Sequence, residues 1–395
     1  MTDRVLVAGG GTGGHVFPAL ATAAALRAAR PGLEVEFVGT RRGLESHLVP
    51  AAGWSLHLVA AAPLSRRPSP ALLRLPVVLV RSARDVAALI RDRGVGAALC
   101  FGGYTAVPLA LAARRTGIPL IVHEQNAVPG IANRLAARWA HTVAVSVPQA
   151  RERLGGRGGR RRVVDTGNPV RADLAGIDRA ARRFEATASF GLDPARRTLL
   201  VFGGSQGARR INDAAVGSAG RWTDPGGLQI LHAAGRPTGE RTARAWEEAL
   251  AAAPGPLVRC VEFLDRMDLA YAAADVVLCR AGASTIAELT ALGLPSVLVP
   301  FPHATADHQT GNAHAMASAA AAVVVADADL DAATLVAACE PLLRDPGRRR
   351  AMAAAAAALG RPDAAEAVAR LVLQALDGAA GRATAAPLDD NGSRR

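Results

Sequence analysis

At 395 residues the chain is too long for one typical hydrophobic core and implies two domains of ordinary size. Half of its residues are apolar and only 4% aromatic, a globular composition whose core must be mostly Ala, Val and Leu. The formal charge of +12 is carried by arginine alone, which coding drift toward Arg and Ala explains as well as selection for an anionic partner; without an aromatic-rich basic stripe, zinc-finger spacing or a recognition helix, nucleic acid is not the expected partner.

Val5 to Ala8 reads as a fully buried strand, broken by Gly9-Gly10-Gly11-Thr12-Gly13-Gly14-His15 before helical spacing sets in after Pro18. Glycines here permit a tight turn and close backbone approach, and the following helix start favours an anion, so this loop is expected to hold a phosphate or diphosphate. Gly9, Gly11 and Gly14 also fit the dinucleotide pattern G-x-G-x-x-G. The ribose-binding acid is not well placed, and Gly39-Thr40-Arg41-Arg42 after the next strand would suit a 2′-phosphate, which leaves an NADP site as an alternative.

Strands Val35–Val38, Ser55–Val59, Ala97–Phe101 and Pro119–His123 alternate with helices near Gly43–Ala51 and Pro108–Arg115. That alternation predicts a parallel sheet with helices on both faces and ligands at the carboxyl ends of the strands. Those ends carry Gly10–His15, Gly102-Gly103-Tyr104 and His123-Glu124-Gln125-Asn126, which point to one cleft. Gly94–Ala113 is uncharged and long enough to span a bilayer, yet its central Phe101-Gly102-Gly103-Tyr104-Thr105 and Pro108 predict a strand, a loop and a helix.

Between Pro63 and Arg84 the arginines 66, 67, 74, 81 and 84 surround Leu72, Leu73, Leu75, Val77, Val78, Leu79 and Val80. This is either a core helix with a basic solvated face or a peripheral contact with an anionic leaflet, where each arginine contributes ~1 kcal/mol. Cys100, Cys260, Cys279 and Cys339 lie far apart in apolar runs and read as reduced core residues. A signal peptide is not expected, since the chain enters a strand directly, and the chain is expected to be soluble.

Gly155–Arg162 reads as a surface loop, and Asp165–Arg171 ends the first half. The opening pattern then returns: Thr198–Phe202 is a buried strand followed by Gly203-Gly204-Ser205-Gln206-Gly207-Ala208-Arg209. Strands Gln229–Leu231, Leu257–Val261, Val276–Leu278, Ser296–Val299 and Ala322–Val325 complete a second sheet. The expected fold is α/β with two Rossmann-like domains, 1–171 and 172–358, facing across a cleft, then a closing helix within 359–376 packing back on the first, and a disordered tail over 377–395. Thr285-x-x-Glu288, after a strand and Arg280-Ala281-Gly282, reads either as a capping box or as a ribose-binding glutamate.

Together GGGTGGHVFPAL, FGGY, HEQNAVPG, TGNPVR, FGGSQGAR, Phe263-Leu264 in VEFLDRM, RAGASTIAE and DHQTGNA resemble, in order from Val5 to about Ala313, the signatures of the peptidoglycan N-acetylglucosaminyltransferase family of GT-B glycosyltransferases. The resemblance implies transfer of N-acetylglucosamine from UDP-N-acetylglucosamine to the 4-hydroxyl of the muramyl sugar of lipid I, giving lipid II at the cytoplasmic membrane face. Phe263 would cap the uracil, Leu264 would read its edge through backbone groups, Glu288 would hold the ribose, and Ser205 with Arg171 the diphosphate. Ala283, Asn126 and Gln309 would contact the sugar, with Ser284 and Thr285 beside Ala283. Thr12-Gly13-Gly14 and Gly102-Gly103-Tyr104 would face the acceptor diphosphate and the donor sugar. The lipid-anchored acceptor gives Arg66, Arg67, Leu72, Leu73, Arg74, Leu75, Leu79 and Arg81 a membrane role.

The chemistry needs a base for the acceptor proton and a stabiliser of leaving-group charge. His15, with an ordinary pKa of about 6.5, is the expected base and Glu124 the second candidate; the alternative for His15 is a loop-capping role. Helix N-termini at Ser205–Gly207 and Arg171 would handle the UDP charge. Asp327-Ala328-Asp329 formally offers a D-x-D metal site but reads as helix capping, so no metal, no cofactor and an inverting reaction are expected. The remaining alternatives are another UDP-sugar transferase or epimerase on the same fold, and a nucleotide-binding regulator or NADP oxidoreductase.

Overall fold

The computed structural model describes residues 3–60, 70–155, 162–304 and 307–385, with the side chains of 70–75 and 380–385 excepted. The chain forms two compact units, Met1–Arg171 together with Arg361–Arg395, and Ala172–Gly360.

In the first unit the strands are β1 (Arg4–Ala8), β2 (Glu34–Gly39), β3 (Ser55–Leu58), β4 (Ala97–Cys100), β5 (Leu120–Glu124), β6 (Thr142–Val145) and β7 (Arg162–Asp165). Between them run α1 (Gly13–Ala29), α2 (Glu45–Ala51), α3 (Pro70–Arg93), α4 (Ala106–Thr116), α5 (Ile131–Ala136) and α6 (Pro148–Leu154). The sheet order is β3-β2-β1-β4-β5-β6-β7, all parallel. β1 shows why the run is continuously apolar: Val5 and Val7 pack with Val16, Ala19, Ala23 and Leu26 of α1 on one face, while Leu6 and Ala8 pack with Leu109, Ala110 and Ala113 of α4 on the other. Each fully buried valine or leucine among them stabilises the fold by about 1.5–3 kcal/mol, and each alanine by less.

β6 and β7 are absent from the sequence reading. β6 is a buried four-residue run, and β7 is the sheet edge, where Arg162 and Asp165 stay exposed and only Val163 and Val164 carry the apolar signal. Of the expected Gly155–Arg162 loop, 156–161 lie outside the described residues, and Arg162 already belongs to β7.

The closing helix, Ala364–Ala385, packs on the first unit: Val368, Ala369, Val372, Ala375 and Leu376 join the cluster of Val5, Val7 and α1. It continues past Asp377, where a disordered tail was expected. Two causes are visible: Asp377 pairs with Arg30 at 2.9 Å, and the following residues are rich in alanine, the best helix former.

In the second unit the helices are α7 (Ala172–Ala175), α8 (Arg179–Ser189), α9 (Arg209–Gly217), α10 (Gly239–Ala252), α11 (Met267–Ala273), α12 (Ala283–Ala291), α13 (His308–Ser318), α14 (Ala332–Arg344) and α15 (Pro346–Leu359). Its strands are β8 (Arg197–Phe202), β9 (Leu228–Ala233), β10 (Leu257–Val261), β11 (Val276–Cys279), β12 (Ser296–Leu298) and β13 (Val323–Val324), in the parallel order β10-β9-β8-β11-β12-β13.

Each sheet therefore reverses its strand order once, at β1/β4 in the first unit and at β8/β11 in the second. Ligands of open α/β sheets bind outside the carboxyl ends of strands at such a reversal. Both glycine-rich loops identified in the sequence emerge there. Among the described residues, no helix is long and apolar enough to cross a membrane; Gly94–Ala113 resolves into β4, a turn and α4.

Candidate functional site

In the first unit His15 lies in the first turn of α1, half-buried, with Nδ1 3.0 Å from the Gly10 carbonyl oxygen and 3.3 Å from Thr12 Oγ1. A carbonyl only accepts, so Nδ1 carries the proton and Nε2 carries the basic lone pair in the neutral ring. Nε2 faces the β4–α4 turn, since a Cβ built on Gly102 would stand 3.0 Å from it. Gly103 (φ +85°) is packed so closely on Gly10 that a Cβ would meet its carbonyl oxygen at 2.3 Å. Gly102, Gly103, Thr12, Gly13, Gly14 and His15 thus form one surface at the β1/β4 reversal. Tyr104, 43% exposed, lies beside Gly11.

The first loop departs from the expected phosphate cradle at Gly11. Its N–H donates at 2.8 Å to Oε2 of Glu45, whose Oε1 accepts from Thr40 N at 3.0 Å and Thr40 Oγ1 at 2.9 Å. Glu45 is 1% exposed, and Cβ atoms on Gly10, Gly39 or Gly43 would all collide with its carboxylate end. Of the glycines that suggested a dinucleotide site, Gly39 lies against this carboxylate and Gly11 gives it its N–H. Glu45 was missed in the sequence because its partners lie on two other loops.

Glu124, the second base candidate, is 1% exposed at the end of β5. Its Oε1 accepts from Asn126 N at 2.9 Å and Asn126 Nδ2 at 3.2 Å, and its Oε2 from Gly130 N at 3.1 Å and Asn133 Nδ2 at 2.9 Å. Burial raises its pKa, while these donors oppose the shift. Both oxygens of Glu124 are thus engaged in shaping the 124–133 loop. It orients Asn126, the expected sugar contact. Gln125 ties the same loop to β4 through the Phe101 carbonyl at 2.8 Å, and His123, held neutral by burial with its pKa near about 4, bonds the Gly167 carbonyl at 2.9 Å. Arg171 is the last residue of the first unit before Ala172.

In the second unit Ser205 sits exposed at the tip of the β8–α9 loop. The loop is shaped by Gly207 (φ +73°), whose Cβ would meet the Ala234 carbonyl oxygen at 2.3 Å, and by the Arg236 N–H, which donates to the Ser205 carbonyl at 3.3 Å. Arg236, unremarked in the sequence, also places its guanidinium 4.7 Å from the Phe263 ring. Phe263 is 39% exposed, and Leu264 is buried beside it.

α12 begins at Ala283 with Gly282 as N-cap. Thr285 lies inside the helix, so the capping-box reading fails: Glu288 has no N-cap amide to serve there and instead accepts from the Tyr271 hydroxyl at 2.7 Å. Ala283, Ser284 and Thr285 form the first turn, with Ser284 Oγ buried. Gln309, in the first turn of α13, accepts from the Phe301 N–H at 2.9 Å through Oε1. A cavity of about 980 Å³ at the β8/β11 reversal is lined by Gly203, Gln206, Gly207, Arg280, Phe301 and Gln309, among others. Asp327 opens the turn Asp327–Asp329 and, in place of the expected cap, pairs with Arg280 at 2.6 Å and Arg210 at 3.5 Å.

The glycosyltransferase family 28 N-terminal domain matches residues 5–145 and the glycosyltransferase family 28 C-terminal domain residues 198–368. The chain is 47% identical over 371 residues to a Nocardioides protein, and 44% identical over 374 residues to one from Streptomyces coelicolor. Both are named UDP-N-acetylglucosamine–N-acetylmuramyl-(pentapeptide) pyrophosphoryl-undecaprenol N-acetylglucosamine transferase, and each match covers 94% of this chain and 98% of the relative. Among solved structures it is similar to Acinetobacter baumannii MurG, with a TM-score of 0.72, 28% identity and coverage of 94% of this chain and 99% of that one. The UDP-GlcNAc 2-epimerase of Neisseria meningitidis shares the fold at a TM-score of 0.69 with 13% identity, covering 94% of this chain and all of that one. On these matches the chain belongs to the MurG family of UDP-N-acetylglucosamine-dependent N-acetylglucosamine transferases, within glycosyltransferase family 28.

Proposed function

We propose that the chain transfers N-acetylglucosamine from UDP-N-acetylglucosamine to the 4-hydroxyl of the N-acetylmuramyl sugar of lipid I, forming lipid II, with inversion and without a metal. The observation that carries the reading is the match to relatives named for this transfer over 94% of the chain. The site residues support it: an exposed aromatic ring for a base, a glutamate fixed by a tyrosine for a ribose, and a histidine with a defined tautomer.

The second unit holds the donor, with Phe263 on the uracil, Glu288 on the ribose, Ser205 and the start of α9 at the diphosphate, and Ala283 and Gln309 at the sugar. Arg171 and Asn126 add contacts to the diphosphate and the sugar. The first unit presents the acceptor to His15, with its diphosphate at Gly102-Gly103-Tyr104. His15 Nε2 takes the acceptor proton as the oxygen bonds to the anomeric carbon; the bond from that carbon to the β-phosphate oxygen breaks, and its electron pair leaves on UDP. Backside attack in a single displacement inverts the centre. Fixed N–H donors and arginine stabilise the developing charge on UDP, a role otherwise open to a metal.

The acceptor is lipid-anchored, and the chain meets the cytoplasmic membrane face as a peripheral protein. Along α3, Val77 (71% exposed) and Val80 (49% exposed) stand beside exposed Arg81 and Arg84, with Leu79 half-buried. Arg66 and Arg67 lie outside the described residues, as do the side chains of Leu72, Leu73, Arg74 and Leu75.

The test is product analysis with a short-chain lipid I analogue and labelled donor in EDTA. A β-linked disaccharide product supports the reading. Retention of the donor's anomeric configuration, or turnover that ignores the acceptor as an epimerase would, overturns it.

A further inference from the structure

We propose that Arg280 grips the donor diphosphate through the Nε–Nη2 edge of its guanidinium, and that Asp327 is a positioning residue that holds Arg280 in that orientation. The inference rests on the reading of the second unit as the donor site.

Arg280 directly follows β11, at the strand reversal, and its side chain is 13% exposed. Its Nη1 donates to the Val299 carbonyl at 3.2 Å and the Pro300 carbonyl at 3.1 Å, and lies 2.6 Å from Asp327 Oδ1. The Phe301 ring lies 5.5 Å from its Cζ. Every one of these polar contacts falls on Nη1. Among the described residues, Nε and Nη2 have no hydrogen-bond partner. Their two N–H bonds run parallel, the spacing that matches two oxygens of one phosphate, whereas a lysine would offer a point charge.

Arg280 lines the cavity whose other walls include Gly203, Gln206 and Gly207 of the glycine loop and Gln309. A phosphate beside the glycine loop lies in the cavity that Arg280 lines.

The carboxylate orients the arginine without abolishing its pull on an anion. Asp327, 16% exposed, also faces Arg210 at 3.5 Å, so two cations share one carboxylate and the group keeps a net positive charge. This gives Asp327 of the Asp-Ala-Asp sequence a role distinct from metal binding. It anchors one nitrogen of Arg280 so that the other two stay directed to a ligand.

The experiment measures UDP and uridine binding by calorimetry, in EDTA and again with magnesium, on the full chain and its Arg280→Lys and Asp327→Asn variants, with melting curves for each. Arg280→Lys keeps the charge and removes the paired donors; the expected result is UDP binding weakened about tenfold or more with uridine binding unchanged. Asp327→Asn is expected to weaken UDP about threefold to tenfold, again sparing uridine, because the anchor loses its charge. Equal losses for UDP and uridine would make both residues structural and overturn the proposal. So would unchanged UDP binding in Arg280→Lys, or UDP binding that requires magnesium and loses that requirement in Asp327→Asn. A native chain that binds neither ligand overturns the donor reading itself, and this inference with it.

Discussion

The phenolic hydroxyl of Tyr271, a residue with 0% exposure on α11, donates to Oε2 of Glu288 on α12 at 2.7 Å. The bond restricts the rotamers of Glu288, the residue proposed to hold the ribose, by fixing one of its oxygens. Tyr271→Phe removes one hydroxyl and no packing volume. The expected effect is UDP binding weaker by about 1 kcal/mol, with the melting temperature little changed. Glu288→Gln should cost more, since a charge-assisted acceptor is lost. Calorimetric titration with UDP checks both, and an unaltered Tyr271→Phe would remove the tyrosine from the account.

Glu45 joins the β1–α1 and β2–α2 loops through Gly11 and Thr40. Glu45→Ala leaves these buried donors without an acceptor and should destabilise the first unit by about 2–4 kcal/mol. Glu45→Gln keeps the volume and one acceptor oxygen and should cost less. Urea unfolding followed by near-ultraviolet circular dichroism measures the difference.

The pH profile separates the proposed roles, His15 as base and Glu124 as the group that holds the 124–133 loop. Glu124→Gln retains an acceptor oxygen for the 124–133 loop and should lower kcat/KM while leaving the acid limb of its pH profile in place. A lost acid limb would return Glu124 to the role of base. Glu124→Ala should additionally lower the melting temperature, because the donors at Asn126, Gly130 and Asn133 lose their partner.

Two buried histidines predict the pH dependence of stability. Burial lowers the pKa of His123 and of His232 to about 4. As pH falls below about 6.5 the unfolded chain takes up protons that the folded chain refuses until about 4, so stability drops through that window by about 2 kcal/mol per histidine at pH 5. Native protein should therefore melt several degrees lower at pH 5 than at pH 7. A His123→Gln, His232→Gln double variant, less stable at pH 7, should lose less between the two; an equal loss would place the acid sensitivity elsewhere.

What the sequence made legible follows burial. Val5–Ala8 and Leu199–Phe202 are covered on both faces, so their apolar runs are continuous and their glycine turns stand out at the strand ends. Arg162–Asp165 is an edge strand with two apolar residues, and no local pattern separates it from the loop before it. The site residues divide the same way. His15, Ser205 and Phe263 belong to local motifs, which is why the sequence singles them out. Glu45 with Gly11, Arg236 with Phe263, Tyr271 with Glu288, and Arg280 with Asp327 are pairs made by the fold across separate elements, which no local spacing reveals. At Thr285-x-x-Glu288 local spacing left two readings open, and the fold removes one: the letters of a capping box occur inside a helix whose N-cap is Gly282.

The most direct test of the central claim is UDP release from UDP-N-acetylglucosamine in EDTA, with and without a short-chain lipid I analogue, for the native chain and His15→Ala. The account predicts acceptor-dependent release that falls by about 10²–10⁴-fold in His15→Ala, with donor binding retained. Release that proceeds equally without acceptor, or a His15→Ala chain as fast as the native one, would contradict it.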